Sequence, residues 1–263
     1  MSAVKTKLPV FGVGVNPTTY AESVAAIMAA ARERQSYAVT ALATHGLMEA
    51  AGDRDFARVL RGIDVVTPDG QPVRWALNRL HDTRLDDRVY GPFLMLRLCA
   101  AAAEQEVAIY LYGSTPRTCE LLAAALRARF PALRIAGVSP DRFREATPAE
   151  DAADVELITS SGAGLVFVGR GCPRQERWVA AHRGRVPAAM IAVGAAFDYI
   201  AGTLPVPPPW MQASGLEWLY RLRREPRRLW RRYLSTNSAF LWHFAGDLLR
   251  MRMHAGAGPR DAG

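Results

Sequence analysis

Over residues 1–202, short runs of β-branched and aromatic residues alternate with longer runs rich in Ala, Leu and Arg. Read by periodicity, the short runs predict strands at 8–15, 37–41, 63–66, 107–112, 133–138, 164–168 and 189–193. The longer runs predict helices at 18–34, 45–61, 71–80, 91–105, 116–129, 148–161 and 173–184. Strands that are apolar on both faces and alternate with helices imply a parallel sheet covered on both sides. The expected fold class is α/β, with a doubly wound, mostly parallel, Rossmann-like sheet.

The alternation stops at TLPVPPPW (203–210), where four prolines mark a boundary, since proline continues neither a helix nor a central strand. A helical tail follows, and Pro226 divides it in two. Residues 255–263 read as a disordered end. The predicted organisation is an α/β domain over 1–202, a helical appendage over 203–254 and a disordered tail from 255.

Composition adds limits. Half of the 263 residues are hydrophobic, enough for a core. Cys99, Cys119 and Cys172 are odd in number and widely spaced, which reads as reduced thiols rather than a disulfide framework or a zinc site. No long apolar run follows Lys5 and Lys7, so no signal peptide is expected. No apolar stretch is long enough to span a bilayer.

Charge changes the picture more. The chain carries a net +8, and residues 221–232 alone carry seven arginines against one glutamate, a net +6. Trp218, Tyr220, Trp230 and Tyr233 flank or interleave them. So local a cluster calls for a local anion: phosphates of a small molecule, a nucleic acid backbone or an anionic membrane. No nucleic-acid-binding fold accompanies it, so nucleic acid is not an expected partner. A solvated cationic helix face is the plainer alternative. The mix of Arg and Trp with an apolar face fits helices lying on anionic lipid.

Candidate chemistry gathers where strands end and helices begin, the edge at which open α/β sheets bind ligands. The loop YGSTP (112–116) opens a helix with Thr115 and Pro116, and fits a phosphate cradle or a plain strand–helix turn equally. Asp69, in TPDG at the end of a strand, is either a helix N-cap or a general base. Gly169–Glu176 follows the strand LVFV, with Pro173 expected at the first helical position and Gln175 placed to bond a neutral ligand group. Cys172 there has no clear partner base for a nucleophile. Asp53-Arg54-Asp55 falls within a helical run, as a solvated face rather than a metal motif, and Asp86-Asp87 reads as surface.

Six segments together resemble the WecG/TagA/CpsF family of bacterial glycosyltransferases, in that family's order. They are TPDGQPVRWA (67–76), RVYGPFLM (88–95), YGSTP (112–116), VFVGRGCPRQERW (166–178), AVGAAFDYIAG (192–202) and GLEWLYRLRREPRRLWRRYL (215–234). The resemblance implies transfer of a hexose, with inversion and without a metal or other cofactor, from a UDP-sugar to a polyprenyl-diphosphate-linked sugar. N-acetylmannosamine, its uronic acid and glucose are the donor sugars to consider. It further implies a peripheral enzyme on the cytoplasmic face of the bacterial inner membrane, with homo-oligomerisation left open.

By the same resemblance, Asp69 is the catalytic base and Thr40 and Gln175 are pocket residues. Arg221, Arg228 and Arg231 close over the diphosphate, and Gly113, Pro116, Gly169 and Gly171 shape the phosphate loops. Three positions depart from the family pattern: Leu42 where Asn is frequent, Phe93 in place of Asp in Gly-x-Asp-Leu, and Val206-Pro207-Pro208 where Arg-Ala-Pro is common. The competing expectation, from a different class, is a non-catalytic nucleotide or anionic-polymer binding module.

Overall fold

Tertiary packing selects among these local preferences. The computed structural model describes residues 4–256, the side chains of 228, 232 and 252–256 excepted. Its core is a six-stranded parallel sheet built from β3 (Tyr37–Leu42), β4 (Val65–Pro68), β5 (Ile109–Gly113), β6 (Ile135–Ser139), β7 (Leu165–Gly169) and β8 (Ala189–Ala192). The strands lie in the order β4-β3-β8-β7-β5-β6 and every neighbouring pair is parallel. The doubly wound α/β expectation is met.

Alternate residues of each strand supply opposite faces. Val166 and Val168 of β7 enter one hydrophobic cluster, and Leu165 and Phe167 enter the other. The first cluster is closed by α2 (Thr44–Gly52), α3 (Arg54–Gly62), α4 (Gln71–His81) and α8 (Arg174–His182). The second is closed by α1 (Tyr20–Arg32), α5 (Gly91–Glu104), α6 (Pro116–Arg129) and the short α9 (Ala196–Ile200). Local signals start several of these helices: capping boxes at Thr19–Glu22 and at Thr147–Glu150 of α7 (Pro148–Ser160), and a Thr115 cap on α6.

Three expectations change. Residues 8–15 are not a sheet strand but an antiparallel hairpin, β1 (Leu8–Val10) and β2 (Val13–Val15). Phe11 and Gly12, with φ of 52° and 80°, turn the chain back between them. The helix expected at 45–61 is two, because the Asp53 side chain accepts the backbone N–H groups of Asp55 and Phe56 and starts α3 afresh. Asp53-Arg54-Asp55 is thus an exposed cap, and Asp86 and Asp87 are exposed as expected. Pro173 is the residue before α8 rather than its first.

Beyond the proline-rich boundary lie α10 (Pro209–Ala213), α11 (Glu217–Arg224) and α12 (Pro226–Gly256), with the break at Pro226 where it was expected. Helix α12 extends past residue 255, and 257–263 lie outside the described residues. The tail is joined to the α/β body: Phe240 of α12 is 8% exposed, belongs to the first cluster and meets the Phe11 ring edge-on at 5.1 Å. Two residues on, Trp242 is 81% exposed.

This contrast gives a stability test. In urea denaturation, Phe240→Ala should cost about 3 kcal/mol, as expected for removing a buried ring, whereas Trp242→Ala should change stability by less than about 0.5 kcal/mol. Equal effects would mean that α12 is not seated by Phe240.

Candidate active site

At the carboxyl ends of β3, β4, β7 and β8 the connecting loops enclose a cleft of about 590 Å³. Its floor comes from Ala41–Gly46, Asp69–Pro72, Gly169–Cys172 and Val193–Ala195; its roof comes from Glu217, Trp218 and Arg221 of α11 and Tyr233, Thr236 and Asn237 of α12. The helical tail therefore completes the site that the sheet opens.

Asp69 lines the floor and is 8% exposed. Its Oδ2 accepts the backbone N–H of Gly91, the first residue of α5, at 3.2 Å. Gly91 is required by space: a Cβ there would come 2.7 Å from the Val193 carbonyl oxygen and 3.3 Å from Asp69 Oδ2. Burial pushes the Asp69 carboxyl up to about 7, past the opposing pull of Arg88, and Glu217 raises it further. A carboxyl that titrates near neutrality can take up a proton at physiological pH.

Arg88 is buried and forms an ion pair with Glu217 of α11, so the loop before α5 grips the roof helix. The Arg88 guanidinium also lies 4.3 Å over the Tyr90 ring. Two polar atoms of the roof, Glu217 Oε1 and Arg221 Nε, are buried without a hydrogen-bond partner among the described residues. Buried polar atoms are rarely left so, and both residues line the cleft, where a bound ligand would reach them.

On the opposite wall, Gln175 and Glu176 open α8, each 1% exposed. Gln175 Nε2 donates to Glu176 Oε1 at 2.8 Å, and Gln175 Oε1 accepts the Gly194 N–H at 3.2 Å. Thr40 donates to the same Glu176 oxygen at 3.1 Å. Burial, foremost, raises the Glu176 carboxyl above its ordinary range. Cys172, half-buried, belongs to the same wall.

The phosphate-loop residues divide. Ser114 and Thr115 reach the cleft, as do Gly169 and Gly171, while Gly113 sits behind it and Pro116 is exposed at the start of α6 outside the lining. Gly113 has φ of 119°, and a Cβ on it would stand 2.5 Å from the Gly169 carbonyl oxygen, so the ends of β5 and β7 can meet only around glycine. Arg170 and Arg174 hold Asp141, each at 3.0 Å, fixing the loop after β6 against the cleft.

Of the residues singled out in the sequence, the structure brings Asp69, Gln175, Gly169, Gly171 and Arg221 to one cavity. Thr40 lies one layer behind, acting on the cavity through Glu176. Arg231 is exposed, outside the lining, with its guanidinium 5.2 Å over the Trp230 ring. The Arg228 side chain lies outside the described residues. Sequence reasoning missed the site roles of Arg88, Tyr90, Glu176 and Tyr199. Glu176 follows Gln175, so adjacency was an available signal there, while Arg88 and Tyr90 carried only their place in the segment RVYGPFLM.

Comparison with known proteins identifies the family. The sequence model of the Glycosyl transferase WecG/TagA/CpsF family matches residues 8–254. The chain is similar to an N-acetylglucosaminyldiphosphoundecaprenol N-acetyl-beta-D-mannosaminyltransferase of Bacillus subtilis (strain 168), 32% identical over 70% of this chain and 69% of the relative. A protein of the same description from Bacillus spizizenii is 29% identical over 71% of this chain and 70% of its own length. From the strand-end carboxyl to the arginine-rich roof, the chain belongs to the WecG/TagA/CpsF family of glycosyltransferases.

Proposed function

We propose that the protein is an inverting hexosyltransferase that moves a sugar from a UDP-sugar to a polyprenyl-diphosphate-linked amino sugar in the synthesis of a cell-surface polymer. The observation that carries this reading is the buried Asp69, poised near neutrality in one cleft with Glu217 and Arg221 of the roof, each of which has a buried polar atom without a partner among the described residues. The names of the two Bacillus relatives support the lipid-linked acceptor and make N-acetylmannosamine the first donor sugar to try, ahead of its uronic acid and glucose.

In this mechanism the acceptor hydroxyl oxygen attacks the anomeric carbon while its proton passes to the Asp69 carboxylate. The bond between that carbon and the diphosphate oxygen breaks, and UDP leaves with the electron pair. One displacement inverts the anomeric centre. Arg221, supported by Arg88, opposes the charge that grows on the departing diphosphate. Gln175, held through Gly194 and Glu176, presents its amide to the sugar.

The tail supports attachment to a membrane surface. No helix among the described residues is long and apolar enough to cross a bilayer. Trp230, Leu234, Leu241 and Leu249 of α12 are exposed, at spacings that share one helix face, with Trp242 beside them. Arg223, Arg224, Arg227 and Arg231 are exposed on the same tail. Each basic residue near an anionic bilayer contributes about 1 kcal/mol, so together they hold the enzyme reversibly beside its lipid-linked acceptor.

Four outcomes are expected. Asp69→Asn should abolish transfer while UDP still binds by calorimetry; a wild type that binds UDP and transfers to no acceptor would favour a binding module instead. Only ionised Asp69 accepts the proton, so kcat/KM should fall as pH drops through about 7, and a profile flat across that range would remove Asp69 as the base. Arg221→Ala should lower kcat about a hundredfold, with wild-type turnover unchanged by EDTA; dependence on a divalent ion would sink the arginine mechanism. In vesicle sedimentation, Trp230→Ser with Leu241→Ser should release the protein from anionic liposomes but leave transfer to a water-soluble acceptor intact.

A further inference from the structure

A second cavity, of about 570 Å³, opens beside the catalytic cleft between α5 and α6. Pro92, Phe93 and Leu96 form one wall, Ala125 and Ala128 the other, and Ile200 and Val206 lie along it. Arg129 is its one charged lining residue among the described residues. The groove adjoins the catalytic cleft: Tyr90, Pro92 and Tyr199 line both. Its apolar residues are left open to solvent: Phe93 is 46% and Val206 52% exposed. Phe93 is no stray surface residue, since its ring meets Tyr90 edge-on at 5.4 Å.

Phe93 and Val206 both line this groove, one from α5 and one from the proline-rich boundary. A groove lined this way suits an apolar ligand segment, and the wall it shares with the cleft suits a segment tethered to a substrate of the reaction. A nucleotide sugar has no such segment. The acceptor named for the Bacillus relatives has one, an isoprenoid chain joined through a diphosphate to the reacting sugar.

On the reading of the chain as a transferase to a lipid-linked acceptor, we propose that this groove seats the diphosphate-proximal isoprene units of that acceptor. Tyr90 and Tyr199 flank the neck between groove and cleft, apolar in their rings and polar at their hydroxyls, as suits the junction of isoprenoid and diphosphate. Withdrawal of these isoprene units from water adds binding energy of the hydrophobic kind. It also aligns the acceptor sugar against Asp69, so the groove sets both affinity and register.

The test compares two acceptors carrying the same diphosphate-linked sugar, one on a long polyprenyl chain and one on a short alkyl chain. Phe93→Asp and Val206→Asp each place a carboxylate in the groove at a half-exposed position. Both should raise KM for the long-chain acceptor about tenfold and leave KM and kcat for the short-chain acceptor as in the wild type. Equal effects on both acceptors, or none on either, would overturn the proposal, as would a change in sedimentation with both KM values unchanged, which would make the groove a contact between copies of the chain. A photoreactive isoprenoid diphosphate gives a readout independent of turnover. It should label peptides containing residues 92–96 and 125–129 in the wild-type protein. Such labelling without transfer to any acceptor would refute the transferase reading alone, and labelling elsewhere would refute the groove.

Discussion

The ion pair between Arg88 and Glu217 is the contact on which the site depends. It joins the loop before α5, part of the sheet's ligand edge, to α11, part of the tail, across 129 positions of sequence. With Phe240 seating α12 in the core, the pair fixes α11 over the floor. A buried pair of this kind adds little net stability, because desolvation offsets the attraction, yet loss of one partner strands a buried charge. Its contribution is therefore geometric: it sets where Arg221, one helical turn beyond Glu217, stands relative to Asp69.

At Asp69 several influences compete and none wins outright. Burial disfavours the carboxylate, and the Glu217 charge adds to that; the Arg88 guanidinium and the Gly91 N–H favour it. The N-terminus of α5 acts in the same favourable direction through its dipole. The balance falls near neutrality rather than in the ordinary carboxylate range. Were Arg88 bound to Asp69 alone, the carboxyl would be held ionised and weakly basic. By pairing Arg88 with Glu217, the fold keeps the cation near and partly spent, so the Asp69 carboxyl stays above its ordinary range.

Much of this fold was legible in the sequence, for a physical reason. Buried parallel strands must be apolar on both faces, and runs such as LVFV and AMIA show this without any tertiary information. The ends of β4 and β7 were legible because a ligand edge demands small and polar residues there, which brought Asp69, Gly169 and Gln175 forward. The hairpin at 8–15 was read as one strand because LPVFGVGV alternates like a strand; its reversal rests on two positive φ angles at Phe11 and Gly12. The join at Asp53 was missed because a cap and an exposed helical aspartate look alike in sequence. The titration of Asp69 and the roof contact of Arg88 could not be read at all, since both arise from partners distant along the chain.

The arginine segment shows why composition alone identifies a partner poorly. Its net +6 suggests one anionic surface, but the fold sorts the cations by burial. Arg221 lines the cleft with a donor unmet among the described residues, while Arg223, Arg224, Arg227 and Arg231 face solvent. A buried guanidinium acts on an anion at short range in a medium of low dielectric, where placement governs its effect. Exposed ones act through a screened field that falls away within about 10 Å at 0.1 M salt, and there number matters more than placement. Such a field suits a flat, laterally mobile sheet of charge better than one diphosphate. The two kinds of cation sit on consecutive turns of one tail, so whatever draws the exposed arginines to a surface also brings the roof of the cleft to that surface.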